Sequence, residues 1–254
     1  MVTSPKKKPT EGKLSAVEQA KSWKRYIHLA DGNKGGVGKS FFARTLYAVL
    51  LDLGTPVLGV ETDIDSPDFK GIYTDVQVSC FSEDEKVNEQ ACSIINWAIE
   101  DEKNIVVNLP ATVHKAFQLW VEQFDIVDLA ASHDVGLVKW FICTGEYDSM
   151  KSLQVSLATF GEKIPHVVVK NLKYDDWEFF AADEKTQELI QQYGCPVIEL
   201  PKLPSRLAST LLQERLTFEQ ALTHRGNNFG IVQQSAVRGY LKKAQTAFQA
   251  TGLV

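Results

Sequence analysis

The chain has 254 residues, 44% hydrophobic and 23% charged, with a formal net charge of −5. Length and apolar content suffice for one large α/β domain with its own core, and the charged fraction excludes wholesale disorder. The acidic balance excludes a surface coated with nucleic acid throughout, no apolar run reaches the roughly 18 residues of a membrane span, and the cysteines match no zinc spacing. Residues 1–24 read as a basic tail with Lys6-Lys7-Lys8, no secretory signal, and a short helix over 15–23 capped by Ser15 with Glu18 at capping-box spacing. Residues 25–254 read as a single domain. A strand over 26–30 leads through a Gly-rich loop to a helix over 41–53, stopped by Gly54. Strand 56–60 runs into the acidic loop Glu61-Thr62-Asp63-Ile64-Asp65. Helix and strand then alternate: 87–99 and 104–109, 113–129 and 136–143, 149–160 and 166–171, 177–193 and 196–200. This rhythm predicts a mostly parallel central sheet with helices on both faces, a three-layer Rossmann-like architecture.

The last predicted helix, 232–250, places Val237, Tyr240, Leu241, Ala244, Ala247 and Phe248 on one face, with Arg238, Lys242 and Lys243 towards the other. The apolar face reads as packing on the sheet. A basic edge facing DNA and a membrane-surface helix are the alternatives, the second disfavoured by the alanines. Cys80, Cys92, Cys143 and Cys195 have apolar or turn-like neighbours, as reduced core residues of a cytoplasmic protein would.

The loop Asn33-Lys34-Gly35-Gly36-Val37-Gly38-Lys39-Ser40 lies between a strand and a helix, where glycines let backbone N–H groups wrap an anion at the helix N-terminus. Lys39 is placed to reach the β- and γ-phosphates of a nucleotide, and the Ser40 hydroxyl to ligate Mg²⁺. Gly-Lys-Ser at such a junction marks a P-loop nucleotide-binding domain.

The run from Lys34 to Ser40 resembles the deviant Walker A motif of the ParA/MinD family, and strand-end features recur in order from about Tyr26 to Leu222. The resemblance implies an ATPase that binds ATP and Mg²⁺ and forms a homodimer with ATP bridging the subunits. In that family the extra lysine, here Lys34, reaches the partner's nucleotide and neutralises the transferring phosphoryl group, as an arginine finger does. Asp63 matches the switch I aspartate that orients or activates water, with Glu61 matching the acid two positions earlier. Asp65 and Asp68 read as solvated loop charges. Asn108, in Ile105-Val106-Val107-Asn108-Leu109-Pro110, stands where the family has the Walker B aspartate, so it brings a metal-facing oxygen but no charge. Ser40, Asp63 and Asn108 are therefore the candidate metal residues, and Pro110 matches the switch II proline. Asn171 resembles the adenine-reading asparagine, and Leu200-Pro201 the second adenine-side loop. Phe41 replaces the usual threonine beside the α-phosphate, leaving its backbone N–H to serve and its ring to pack into the domain. His28 reads as a core or edge residue, and His114 as core or partner-facing.

Within the superfamily, the Glu-Thr-Asp and Asn-Leu-Pro-Ala strand ends look most like plasmid partition or mobilisation proteins. That expectation carries an activating partner protein, a slow turnover and non-specific, salt-sensitive DNA contact rather than operator binding. Two other functions fit the same loop: an ATP-dependent small-molecule ligase, and a module that holds ATP without hydrolysing it, as Asn108 favours.

Overall fold

A computed structural model describes residues 23–32, 34–226 and 229–254. Residues 1–22 of the basic tail, with all but the last residue of its expected helix, and Asn33 lie outside the described residues. Seven strands form one sheet: β1 (Arg25–Asp31), β2 (Val57–Glu61), β3 (Gln77–Val78), β4 (Asn104–Asn108), β5 (Val135–Cys143), β6 (His166–Asn171) and β7 (Val197–Leu200). They lie in the order β3-β2-β4-β1-β5-β6-β7, and every pair is parallel. The helices are α1 (Lys39–Asp52), α2 (Asp68–Ile72), α3 (Glu85–Asn88), α4 (Cys92–Glu100), α5 (His114–Gln123), α6 (Ile126–Ser132), α7 (Tyr147–Phe160), α8 (Glu178–Ala182), α9 (Glu184–Gln192), α10 (Ser205–Gln213), α11 (Phe218–Ala221) and α12 (Ile231–Gln249).

The period of two along each strand sorts the core into layers. Ile27, Leu29, Ile105, Val107 and Leu137 pack against α4, α5 and α6, in a cluster with Phe117 and Trp120. Ala30, Val106, Val138, Trp140 and Ile142 face the other way, onto Phe42 and Leu46 of α1 and Phe248 of α12. Phe141, Cys143 and Val168 close a smaller cluster beneath α7. The central strands are therefore buried on both faces, as a sheet covered by helices on each side demands, while the edge strands β3 and β7 are partly exposed.

Three predicted helices are broken. The one over 113–129 becomes α5 and α6, because Asp125 adopts a left-handed conformation (φ 46°), which a short polar side chain tolerates. The one over 177–193 becomes α8 and α9, because Asp183 is extended and its Oδ2 accepts hydrogen bonds from Thr186 Oγ1 (3.1 Å) and Gln154 Nε2 (3.0 Å). The one over 87–99 begins as α3, passes through a 3₁₀ turn at Glu89–Ala91 and continues as α4. The short elements α2, β3, α10 and α11 were not anticipated.

Helix α12 buries Val237, Tyr240, Ala244 and Phe248 against α1 and β7 and leaves Arg238, Lys242 and Lys243 exposed, as the packing reading required. Phe248 contacts Phe42 and Trp140 with ring centres 5.4 and 5.6 Å apart, and Tyr240 Oη lies 2.8 Å from Thr45 Oγ1. Cys80, Cys143 and Cys195 are buried free thiols, and burial pushes Cys143 and Cys195 up to about 12. Among the described residues no helix is long and apolar enough to cross a membrane.

Two core histidines are expected to make the fold acid-sensitive. Burial pushes His28 and His166 down to about 3. His28 Nδ1 accepts a hydrogen bond from Trp140 Nε1 (3.1 Å), and His166 sits between Ser156 Oγ (2.9 Å) and Ile164 O (2.8 Å). Each imidazole is neutral when folded but titrates near 6.5 when unfolded, so the unfolded chain binds more protons between those values. Their stabilisation is complete above pH 6.5 and falls as the pH drops towards 3, by about 2 kcal/mol per histidine at pH 5. Urea midpoints measured from pH 7.5 to 5 are expected to fall, with a shallower slope for His166→Gln; a midpoint constant across that range would refute the assignment.

Candidate functional site

The switch in strand order flanks β1, whose C-terminal end opens into the Gly-rich loop, where ligands bind in open α/β sheets. A cavity of about 440 Å³ lies there, lined by the loop and by Asp63, Asn171 and Pro201. Gly36 (φ 83°) and Gly38 (φ 107°) take backbone conformations that side chains rarely adopt. A Cβ on Gly38 would stand 2.7 Å from Asn171 Nδ2. Gly38→Ala is therefore expected to destabilise the protein by about 1–3 kcal/mol and to weaken nucleotide binding by displacing the loop. Unchanged melting and nucleotide titration would show that the loop has room it does not show here.

Within the loop, Lys39 is buried and its Nζ donates to the Lys34 carbonyl (3.0 Å). Burial pulls its pKa below the usual lysine range, while Asp31 and Asp63 act to raise it. An anion entering the cavity would meet a cation already stripped of much of its water. Val37 is buried as the loop's anchor, and its carbonyl accepts from Asn171 Nδ2 (2.8 Å). Asn171 Oδ1 accepts from the Lys173 N–H (3.1 Å), so both ends of this amide hold protein backbone. Asn171 thus lines the cavity while pinning the loop. Pro201 lines it from the far side. Phe41 also lines it, but its ring packs on Phe218 and Tyr240, with centres 5.8 and 5.6 Å away.

Ser40, Glu61, Asp63 and Asn108 converge at the end of paired strands, with Glu61 and Asn108 opposite each other on β2 and β4. Asn108 Nδ2 donates to Ser40 Oγ (3.2 Å) and to Glu61 Oε1 (2.7 Å). Its Oδ1 is buried without a hydrogen-bond partner. Glu61 also accepts the N–H groups of Asp63 (3.0 Å) and Phe69 (2.9 Å); burial raises its pKa, against those hydrogen bonds. Asp63 accepts the Ser66 N–H at Oδ1 (3.2 Å). The Ser40 hydroxyl and the Asp63 carboxylate are hard oxygen donors lining the cavity, with the Glu61 carboxyl beside Ser40 and Asn108; Asn108 turns Nδ2 towards Ser40 and Glu61, and its orphaned Oδ1 joins them only with the amide turned over. This donor set fits Mg²⁺.

Lys34 goes elsewhere. Its Nζ pairs with Asp148 Oδ2 (2.6 Å) in the first turn of α7, and it does not line the cavity. His114 is half buried beside Phe160, with centres 5.3 Å apart. Asn33 cannot be placed, since it lies outside the described residues.

Several residues of the site were not singled out from sequence. Tyr174 Oη donates to the Gly36 carbonyl (3.1 Å), a second clamp on the loop. Asp31 Oδ1 accepts the Gly32 N–H (2.7 Å), and its Oδ2 pairs with Lys139 Nζ (2.8 Å). Burial works against the Asp31 carboxylate, but Lys139 and the Gly32 N–H hold its pKa below the usual range. The signal for this pair was a lysine inside the apolar run of β5.

No family model matches the chain. Protein MobD of Acidithiobacillus ferrooxidans is 22% identical over 200 residues, covering 77% of this chain and 86% of that protein. A chain of the MinC:MinD cell division protein complex of Aquifex aeolicus aligns over 90% of this chain and 96% of its own, with a TM-score of 0.54 and 14% identity. At that identity the likeness is one of fold: the chain has the parallel P-loop architecture of MinD, as the resemblance to the ParA/MinD family implied.

Proposed function

We propose that this chain is an ATP- and magnesium-dependent ATPase of ParA/MinD type, slow in turnover, which closes into an ATP-bridged homodimer and thereby positions DNA or another cargo in partition or mobilisation. The observation that carries this is the meeting, in one cavity, of the phosphate loop with Asp63 and beside Asn108. The backbone N–H groups of Gly35 to Ser40 and the Lys39 ammonium would hold the β- and γ-phosphates. Ser40, Asp63 and Asn108 would hold Mg²⁺, which when bound supplies positive charge to the phosphate oxygens. Asp63 would orient the attacking water and take its proton as the water oxygen bonds to the γ-phosphorus and ADP departs with the bridging oxygen. Lys34 would leave Asp148 on dimerisation and bring its charge to the partner's γ-phosphate.

The Arg238, Lys242 and Lys243 edge of α12 would offer a local basic surface on an acidic protein, suited to non-specific and salt-sensitive DNA contact. An activating partner protein belongs to this reading, as does a reducing cytoplasm for the four free thiols. A second reading, a module that holds ATP without splitting it, rests on Asn108, which supplies no charge. Light scattering with ATP, ADP or no nucleotide, beside phosphate release with and without DNA, separates the two. An ATP-specific dimer with slow turnover supports the ATPase. A monomer in every state without phosphate release would overturn it.

A further inference from the structure

Arg44 is 7% exposed, yet it lines the same cavity as the phosphate loop. Its Nε donates to the Ser40 carbonyl (3.2 Å), one helical turn back, and the guanidinium carbon stands 5.4 Å from the centre of the Phe41 ring. Among the described residues neither terminal nitrogen has a hydrogen bond or an ion pair. Burial lowers the pKa of this group, against the fields of Asp68, Tyr73, Tyr240 and Glu61. The two carboxylates nearby are thus felt but not touched. Lys139 Nζ is ion-paired with Asp31 and Lys39 Nζ donates to the Lys34 carbonyl, whereas Arg44 engages the protein through Nε alone. The stem is buried while the two terminal nitrogens keep access to the cavity, and a planar fork of free donors there matches the paired oxygens of a phosphate.

We infer that Arg44 is a nucleotide-binding residue whose free fork holds the phosphate nearest the ribose. The inference rests on the ATPase reading above. Arg44 follows Ser40 by four residues and so shares its face of α1, one turn farther from the loop. The loop amides and Lys39 account for the outer phosphates, so the cation farther along the helix serves the inner one. Between them, Phe41 offers a ring and no hydroxyl, and the guanidinium lies against that ring. The phenyl face thereby steadies the fork through a cation–π contact.

The test is calorimetric titration of the full chain with Mg-ATP and Mg-ADP for wild type, Arg44→Met, Arg44→Lys and Asp68→Asn, with melting of each protein free of nucleotide. Arg44→Met is expected to weaken ATP and ADP alike by about 10- to 100-fold, as one charged phosphate contact is lost. Arg44→Lys recovers part of the loss, Asp68→Asn causes none, and the nucleotide-free melting of Arg44→Met stays level because neither terminal nitrogen holds a protein group. Equal affinity for wild type and Arg44→Met would overturn the inference while leaving the ATPase reading intact. So would a loss confined to ATP, a matching loss in Asp68→Asn, or a fall in nucleotide-free melting. A wild-type chain that bound neither nucleotide would overturn both.

Discussion

Replacing Lys139 by methionine is expected to destabilise the fold by about 3–5 kcal/mol, a large share of the 5–15 kcal/mol typical of a domain. The lysine side chain is fully buried in the middle of β5, 2.8 Å from Asp31 Oδ2, with Phe117 and Phe160 ring centres 4.7 and 4.3 Å from its ammonium. Methionine fits the stem but leaves the Asp31 carboxylate in the core without its cation. The penalty therefore comes from the survivor, and Lys139→Met with Asp31→Asn should recover most of it. Asp31 also holds the Gly32 N–H at the entrance to the phosphate loop, so the single variant should bind nucleotide more weakly as well. Urea unfolding of both variants decides the matter. A loss below about 1 kcal/mol for the single variant would mean that water reaches Asp31 and the pair is not truly buried.

That pair shows where sequence and structure part company. The apolar runs of β1, β4, β5 and β6 and the Gly-Lys-Ser junction were legible because period, length and turn residues are local signals; the predicted strand over 166–171 coincides with β6. Phe41 was expected to pack into the domain, and it does. The break at Asp125 was hidden, since a left-handed aspartate is selected by how α5 and α6 each pack rather than by their own periodicity. Arg44 carried no signal either: its position acquires meaning only once Asp63, Ser66 and Asp68 line the same cavity. Asn171 was read for its amide as a base-reading group, yet the chain brings Val37 and Lys173 to that amide from two different segments. The missing charge of Asn108 was visible in the sequence, but Glu61 standing opposite it was visible only in the register of β2 on β4. Site chemistry assembled across strands is a property of the sheet order, and no single segment encodes it.

Lys34→Ala is expected to lower ATP turnover by about a thousandfold or more, the scale of losing a transferred-phosphoryl cation, while ATP affinity of the monomer changes little. The geometry gives the reason for both halves. Lys34 points away from its own cavity to Asp148 at the start of α7, so its side chain contributes nothing to holding nucleotide in its own subunit. Both members of that ion pair are about half exposed, and such pairs are weak in water, so the lysine is free to leave when a second subunit offers a more negative target. Asp148→Ala should accordingly leave turnover at wild-type level or raise it, by removing the competing partner. The two possibilities for Lys34, action across the dimer or within one subunit, separate in a mixing experiment. Combining Lys34→Ala with Asp63→Ala gives mixed dimers in which one site has its own Asp63 and the partner's intact lysine. Recovery of phosphate release on mixing supports the cross-subunit role, since neither variant alone would hydrolyse. Two inactive proteins that stay inactive when mixed, although light scattering shows them to associate, would place Lys34 in its own subunit's chemistry and sink the bridging role.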